Sequence, residues 1–123
     1  LQDRDRIAVG SRGESLAARF LEENGYRILE RGYRWGHKEI DIIASREKAL
    51  VFVEVKSRSR RESLPPFLSV NTRKQGQILK VARAYLARHV PPGGTDIRFD
   101  VISIVLSGDG RHEIEHIVDA FRP

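Results

Sequence analysis

The chain has 123 residues, 32% of them charged, with a net charge of +5 and no cysteine or methionine. That length suits one domain with an adequate core, and the lack of cysteine excludes disulfides and thiolate metal sites. No run of eighteen apolar residues occurs, so no membrane-spanning helix is expected. The opening LQDRDRIAVG also lacks the apolar block of a secretory signal, which makes the cytoplasm the expected location.

In chain order, SRGESLAARFLEEN (11–24) reads as a helix, with Leu16, Ala17, Phe20 and Leu21 on one face. Ser11 followed three residues later by Glu14 fits a capping box, and Gly25 fits the stop. YRILERGYRW is a predicted strand interrupted at Gly32. EIDIIAS (39–45) and ALVFVEVK (49–56) are predicted strands joined by a polar SREK turn. Residues 57–70, SRSRRESLPPFLSV, read as a flexible basic loop. Asn71 or Thr72 opens a helix to about His89, with Ile78, Ala82, Tyr85 and Leu86 as its apolar stripe. IRFDVISIVLS (97–107) is a predicted strand, and HEIEHIVDAF a last strand or strand plus turn. The order α-β-β-β-α-β-β implies an α/β fold in one domain over 1–123, with a mixed sheet and a helix for each side.

Charge is unevenly spread. From Lys56 to Arg88 nine cations face one acid, Glu62, a local +8 that leaves −3 for the remainder. Such a basic segment is either a footprint for nucleic acid or a solvated face.

The stretch LVFVEVKS (50–57) carries the chemistry. Alternation puts Leu50, Phe52, Glu54 and Lys56 on one strand face. If Ala44 pairs with Ala49 across the SREK turn, Asp41 faces Phe52 and Glu39 faces Glu54. Ile40, Ile42, Ala44, Val51, Val53 and Val55 then form an apolar face. Glu39, Asp41, Glu54 and Lys56 gather at one end of the other. Converging carboxylates repel unless a cation or a raised pKa relieves them, and a hard divalent ion such as Mg²⁺ favours such oxygens. Lys56 could hold or deprotonate a water beside the ion. The competing reading is a salt-bridged, solvent-exposed strand end.

The pieces SRGE (11–14), EIDIIA (39–44), VFVEVKSR (51–58), the Lys74 helix, RFDV (98–101) and HIVDAF (116–121) together resemble the YraN-like family of uncharacterised proteins. That family is similar to the PD-(D/E)xK nuclease superfamily, in particular its Holliday-junction resolvase-like branch. The resemblance implies a restriction-endonuclease-like α-β-β-β-α-β core. It implies Asp41 as the motif acid, Glu54-Val55-Lys56 as the (D/E)xK, and Glu14 as an additional carboxylate. Two positions depart from the family pattern: Lys38 stands where it has Gly, and Gly32 where it has Asn.

The function expected is metal-dependent cleavage of structured or branched DNA. Mg²⁺ or Mn²⁺ would be held by Asp41, Glu54 and Glu14, with Glu39 as an outer acid or a plain strand-end residue. Arg58, Arg60, Arg61, Arg73 and Lys74 would contact phosphates. Lys74 lies at the edge of its helix's apolar stripe, from which it could reach the sheet or snorkel to water. Resolvase-like relatives imply a homodimer. The alternatives are a catalytically inactive nucleic-acid-binding module on the same scaffold and, third, a protein-interaction subunit. Asp100 reads as a structural acid paired with Arg98 or a neighbour. His37, His89, His112 and His116 show no metal spacing, the last two standing about 13 Å apart along a strand. Trp35 and Tyr33 could stack on a base or pack in the core.

Overall fold

The most continuously apolar segments form the middle of a five-stranded sheet, buried on both faces. A computed structural model describes residues 3–60 and 70–123. Helix α1 (Asp3–Glu23) is followed by β1 (Arg27–Trp35), β2 (Lys38–Arg46) and β3 (Ala49–Ser59). Helix α2 (Thr72–Arg88), β4 (Asp96–Leu106) and β5 (His112–Ile117) complete the chain. The sheet order is β1-β2-β3-β4-β5. Only β3 and β4, joined through α2, run parallel, so the sheet is mixed, as the element order implies. This is an α/β fold consistent with a restriction-endonuclease-like core. Among the described residues no helix is long and apolar enough to cross a membrane.

Each sheet face carries one helix. Ala17, Ala18 and Leu21 of α1 pack on Ile42, Ala44, Val51, Val53, Ile102 and Ile104. Ile78, Val81, Ala82 and Tyr85 of α2 pack on Ile40, Ile43, Leu50, Phe52, Phe99 and Val101. Ala17, Leu21, Ile78, Ala82 and Tyr85 are where the 3.6-residue spacing predicts them, while Leu16, Phe20 and Leu86 lie at the margins and Ala18 and Val81 join the buried faces. Asn71 caps α2, its side chain accepting the Lys74 N–H at 2.8 Å.

Three expectations need correction. Helix α1 begins at Asp3, well before Ser11. Ser11 therefore lies inside the helix, and Glu14 makes no capping box with it. The Ser11 to Glu14 spacing points to a late start, but the helix runs through Gly10 and Gly13 despite their low helix propensity. Strand β3 continues to Ser59, because residues 57–59 pair with Ile104, Val105 and Leu106. Part of the expected loop is thus sheet, and its remainder from 61 to 69, including Arg61, lies outside the described residues. Finally, Ala44 pairs with Val51, not Ala49. The turn is the tighter Glu47-Lys48, with Glu47 in left-handed backbone at φ 54°. A shift of two residues does not by itself exchange faces, and the paired residues Ile42 to Ser45 keep theirs.

A further departure lies in β2. Ile42 and Ala44 pack under α1, whereas Ile40 packs under α2. The neighbouring strand does the same: Arg31 reaches Ser15 of α1 at 3.1 Å, whereas Tyr33 packs edge-on against Tyr85 of α2 at 5.1 Å. Strict alternation would keep each pair on one face. The break falls at one level of the ladder, between the rungs Arg31–Ile42 and Tyr33–Ile40. Gly32 occupies that level in β1, with φ +61°, and Asp41 occupies it in β2. A positive φ is open to glycine at no steric cost.

Candidate functional site

The same level is where β2 and β3 part. Their regular pairing ends at Ile42–Val53. Beyond it the Asp41 carboxylate takes the place of a backbone partner, its Oδ2 accepting the Val55 N–H at 2.7 Å. Asp41 thus sits between the two sheet faces and meets acids from both. On the α1 side, carboxylate oxygens of Glu14, Glu39 and Asp41 all lie within 4.8 Å of one another. On the α2 side, Asp41 hydrogen-bonds Glu54. Glu54 pairs with Val101 of β4, and Lys56 follows two residues later on the same face.

Helix α1 delivers Glu14 through an unusually close approach. A Cβ at Gly13 would overlap Ser57 Oγ and stand 2.6 Å from Ser57 Cβ. Only glycine lets the helix lie this near β3, and Glu14 is the next residue. This, rather than capping, explains the Gly-Glu pair of the first helix.

Electrostatics follow from the crowding. Burial first, then the Asp41 charge, pushes the Glu54 carboxyl up to about 7. Burial also raises Asp41 above the ordinary carboxylate range, against the lowering effect of the Val55 N–H. Glu14 is raised by burial and by Asp41. Near neutral pH the Asp41–Glu54 pair therefore shares a proton. Burial lowers the Lys56 ammonium, Glu54 opposes that shift, and Lys74 adds to it.

Cations flank the acids. Lys74 Nζ lies 3.9 Å from Glu54 Oε1, so this side chain reaches the sheet instead of snorkelling to water. Arg31 Nε is 3.6 Å from Glu14 Oε1, and Arg34 Nε is 3.2 Å from Glu39 Oε2. The sequence leaves Glu39 as an outer acid or a plain strand-end residue and gives no sign of a role for Arg31 and Arg34. Their role depends on the reversal at Gly32, which no alternation pattern encodes.

The basic residues are dispersed. Arg58 stands opposite Val105 in the β3–β4 ladder. Arg60 binds Glu113 Oε1 at 2.6 Å and Ser107 Oγ at 3.1 Å, near the β4–β5 turn. Arg73 is exposed on the first turn of α2. Asp100 is fully buried and structural, as expected, gripped by Arg98 at 2.8 and 2.9 Å, His116 Nε2 at 2.7 Å and the Asp119 N–H at 2.9 Å. Burial would raise its carboxyl, but these bonds outweigh burial and hold it below the ordinary range.

Hard carboxylate oxygens with raised proton affinity, converging at the end of a sheet, suit a divalent cation such as Mg²⁺ or Mn²⁺. Among the described residues, Glu14, Glu39 and Asp41 form the mutually close set. Glu54 joins through Asp41.

Comparison with known proteins covers this region. Residues 13–104 match the model of the uncharacterised protein family UPF0102, a span that holds Glu14, Glu39, Asp41, Glu54, Lys56 and Lys74. The chain is 51% identical over 120 residues to a UPF0102 protein of Pelobacter propionicus, covering 95% of this chain and 84% of that one. It is 48% identical over 114 residues to a UPF0102 protein of Geobacter metallireducens, covering 93% and 92%. A relative in Chlorobium phaeobacteroides is 44% identical over 118 residues, covering 92% and 93%.

Proposed function

The chain belongs to the uncharacterised protein family UPF0102, and from that premise we propose that it is a metal-dependent endonuclease acting on structured or branched DNA. The observation that carries this reading is the convergence of Glu14, Glu39 and Asp41 within 4.8 Å at the parting of β2 and β3. Glu54 and Lys56 stand beside it on β3. Asp41, Glu54 and Glu14 would hold Mg²⁺ or Mn²⁺, and Glu39 is close enough to join them. When bound, the ion supplies a Lewis acid for the phosphodiester and acidifies a water.

The remaining work falls to the chain. To serve as a ligand Glu54 would release its shared proton, so metal affinity would rise with pH through about 7. Lys56, with its lowered proton affinity, orients the attacking water or stabilises charge on the phosphate. Lys74 holds Glu54 from the α2 side and offers a cation to the scissile phosphate. Arg58, Arg60, Arg61 and Arg73 contact flanking phosphates, giving salt-dependent binding with little sequence preference. A two-fold junction calls for a two-fold enzyme, so the reading includes a homodimer, checked by sedimentation, acting on DNA in the cytoplasm.

The test is cleavage of four-way junction, flap, single-stranded and duplex DNA with Mn²⁺, Mg²⁺ or EDTA, with Asp41→Ala and Lys56→Ala beside the parent. The expected result is metal-dependent nicking that both substitutions abolish while DNA affinity stays largely intact. A second reading, a DNA-holding module without turnover, is favoured by the ion pairs that already offset three of the acids. It requires no cleavage of any substrate, with the variants binding DNA as well as the parent or better.

A further inference from the structure

Beyond the acidic cluster the β1–β2 hairpin projects by one more rung, Trp35 opposite Lys38, closed by the turn Gly36-His37. Trp35 is 46% exposed, one of three large apolar side chains left open among the described residues. Its setting differs from that of an ordinary surface residue. The preceding rung is Arg34–Glu39, and Glu39 belongs to the carboxylate cluster. Lys38 is three residues from Asp41, about 10 Å along the strand. Alternation from Tyr33, which packs on α2, puts Trp35 on the same sheet face as Glu54, Lys56 and Lys74.

Charge at the tip is complementary to a phosphate backbone. Lys38 stands opposite Trp35 in the ladder and His37 is in the turn between them, while Arg34, its side chain 74% exposed, lies on the other sheet face. The nearest acid in the ladder, Glu39, is held by Arg34. A half-exposed indole with a lysine opposite it in the ladder is suited to a nucleic-acid base, since every base offers a π-face and its phosphate an anion. The tight Gly36-His37 turn, with Gly36 at φ +64°, fixes the ring on a two-stranded support rather than a loose loop.

We propose that the hairpin tip is a base-stacking subsite in which Trp35 packs on an unpaired base while His37 and Lys38 contact that strand's backbone. The preferred ligand is therefore DNA with unpaired bases beside the phosphate at the carboxylate cluster, rather than uninterrupted duplex. The proposal rests on the nucleic-acid reading of that cluster and narrows its substrate.

Trp35 is the chain's single tryptophan, so its fluorescence reports on this subsite alone. The experiment titrates the full chain in EDTA with labelled oligo-dT and with a duplex of equal length. Label anisotropy gives the affinity, and tryptophan emission gives the stacking. Expected is saturable quenching by oligo-dT that tracks binding. Trp35→Ala should weaken oligo-dT binding by about 5- to 150-fold, the loss of one base–aromatic stack. Trp35→Phe should retain most of the affinity, and both variants should bind duplex like the parent. Unchanged emission at saturation, an equal loss on both ligands, or no DNA binding at all would overturn the subsite. Cleavage without quenching removes the stacking alone, whereas quenching without cleavage removes the catalytic reading alone.

Discussion

Replacing Glu54 by Gln tests whether burial and Asp41 together strain the carboxylate site. The folded chain holds the Glu54 proton up to about pH 7, whereas an ordinary glutamate releases it near 4.5. Between those values the folded state binds a proton that the unfolded state has lost. Its contribution to stability therefore falls as pH rises through this window. Below 4.5 both states are protonated and no penalty exists; above 7 the full penalty is present. The difference corresponds to about 3 kcal/mol at 1.36 kcal/mol per pH unit, and the side chain is only 13% exposed, so solvent screens little of it. Gln is isosteric and neutral at every pH. Glu54→Gln should melt like the parent near pH 4.5 and roughly 10 °C higher at pH 8 in EDTA, taking about 3–4 °C per kcal/mol for a domain of this size. Melting curves of both proteins across pH 4.5–8, without metal, provide the check. Parallel curves would refute the reasoning, since only a group that titrates in this window can make them diverge.

Other consequences follow from the same contacts. Mn²⁺ should raise the parent's melting temperature more at pH 8 than at pH 6, because metal and proton compete for Asp41–Glu54. Asp41→Ala should abolish that rise, as read by thermal melts with and without chelator. Gly13→Ala should cost about 1–3 kcal/mol in urea unfolding by driving a methyl group into Ser57, and Ser57→Gly in the same chain should restore most of it. Asp100→Ala should cost roughly 3–5 kcal/mol by leaving Arg98 buried without its carboxylate. The stability Asp100 supplies is complete above the ordinary 3.8 and is lost as pH falls through its depressed value. Acid unfolding of Asp100→Asn beside the parent measures it. In a Lys74→Gln background the melts of Glu54 and Glu54→Gln proteins should still part near pH 4.5 but go on diverging to higher pH and end further apart, since the lost cation no longer favours the Glu54 anion and Glu54 holds its proton longer.

Much of this molecule is determined by local pattern. The two amphipathic stripes, the alternating run of β3 and the Asn71 cap each follow from short-range chemistry, and they give the element order and the two-sided packing. Asp41, Glu54 and Lys56 were legible as a group because a two-residue error in register does not exchange the faces of the paired strands. What only tertiary structure decided lies where local rules are broken. Gly13 reads as a weak helix residue until β3 is laid against it, and then it is the one residue small enough to bring Glu14 to Asp41. Gly32 reads as an interruption until its partner strand is known. Its positive φ and the facing Asp41 reverse the hairpin together, so that Glu39 turns toward Glu14 while Tyr33 turns toward α2. Asn, which the family pattern carries at that position, is among the side chains that best tolerate such backbone. A sequence records which residues favour a helix or strand over a few neighbours. It does not record the approach of two distant backbones, and that approach sets the spacing of the carboxylates.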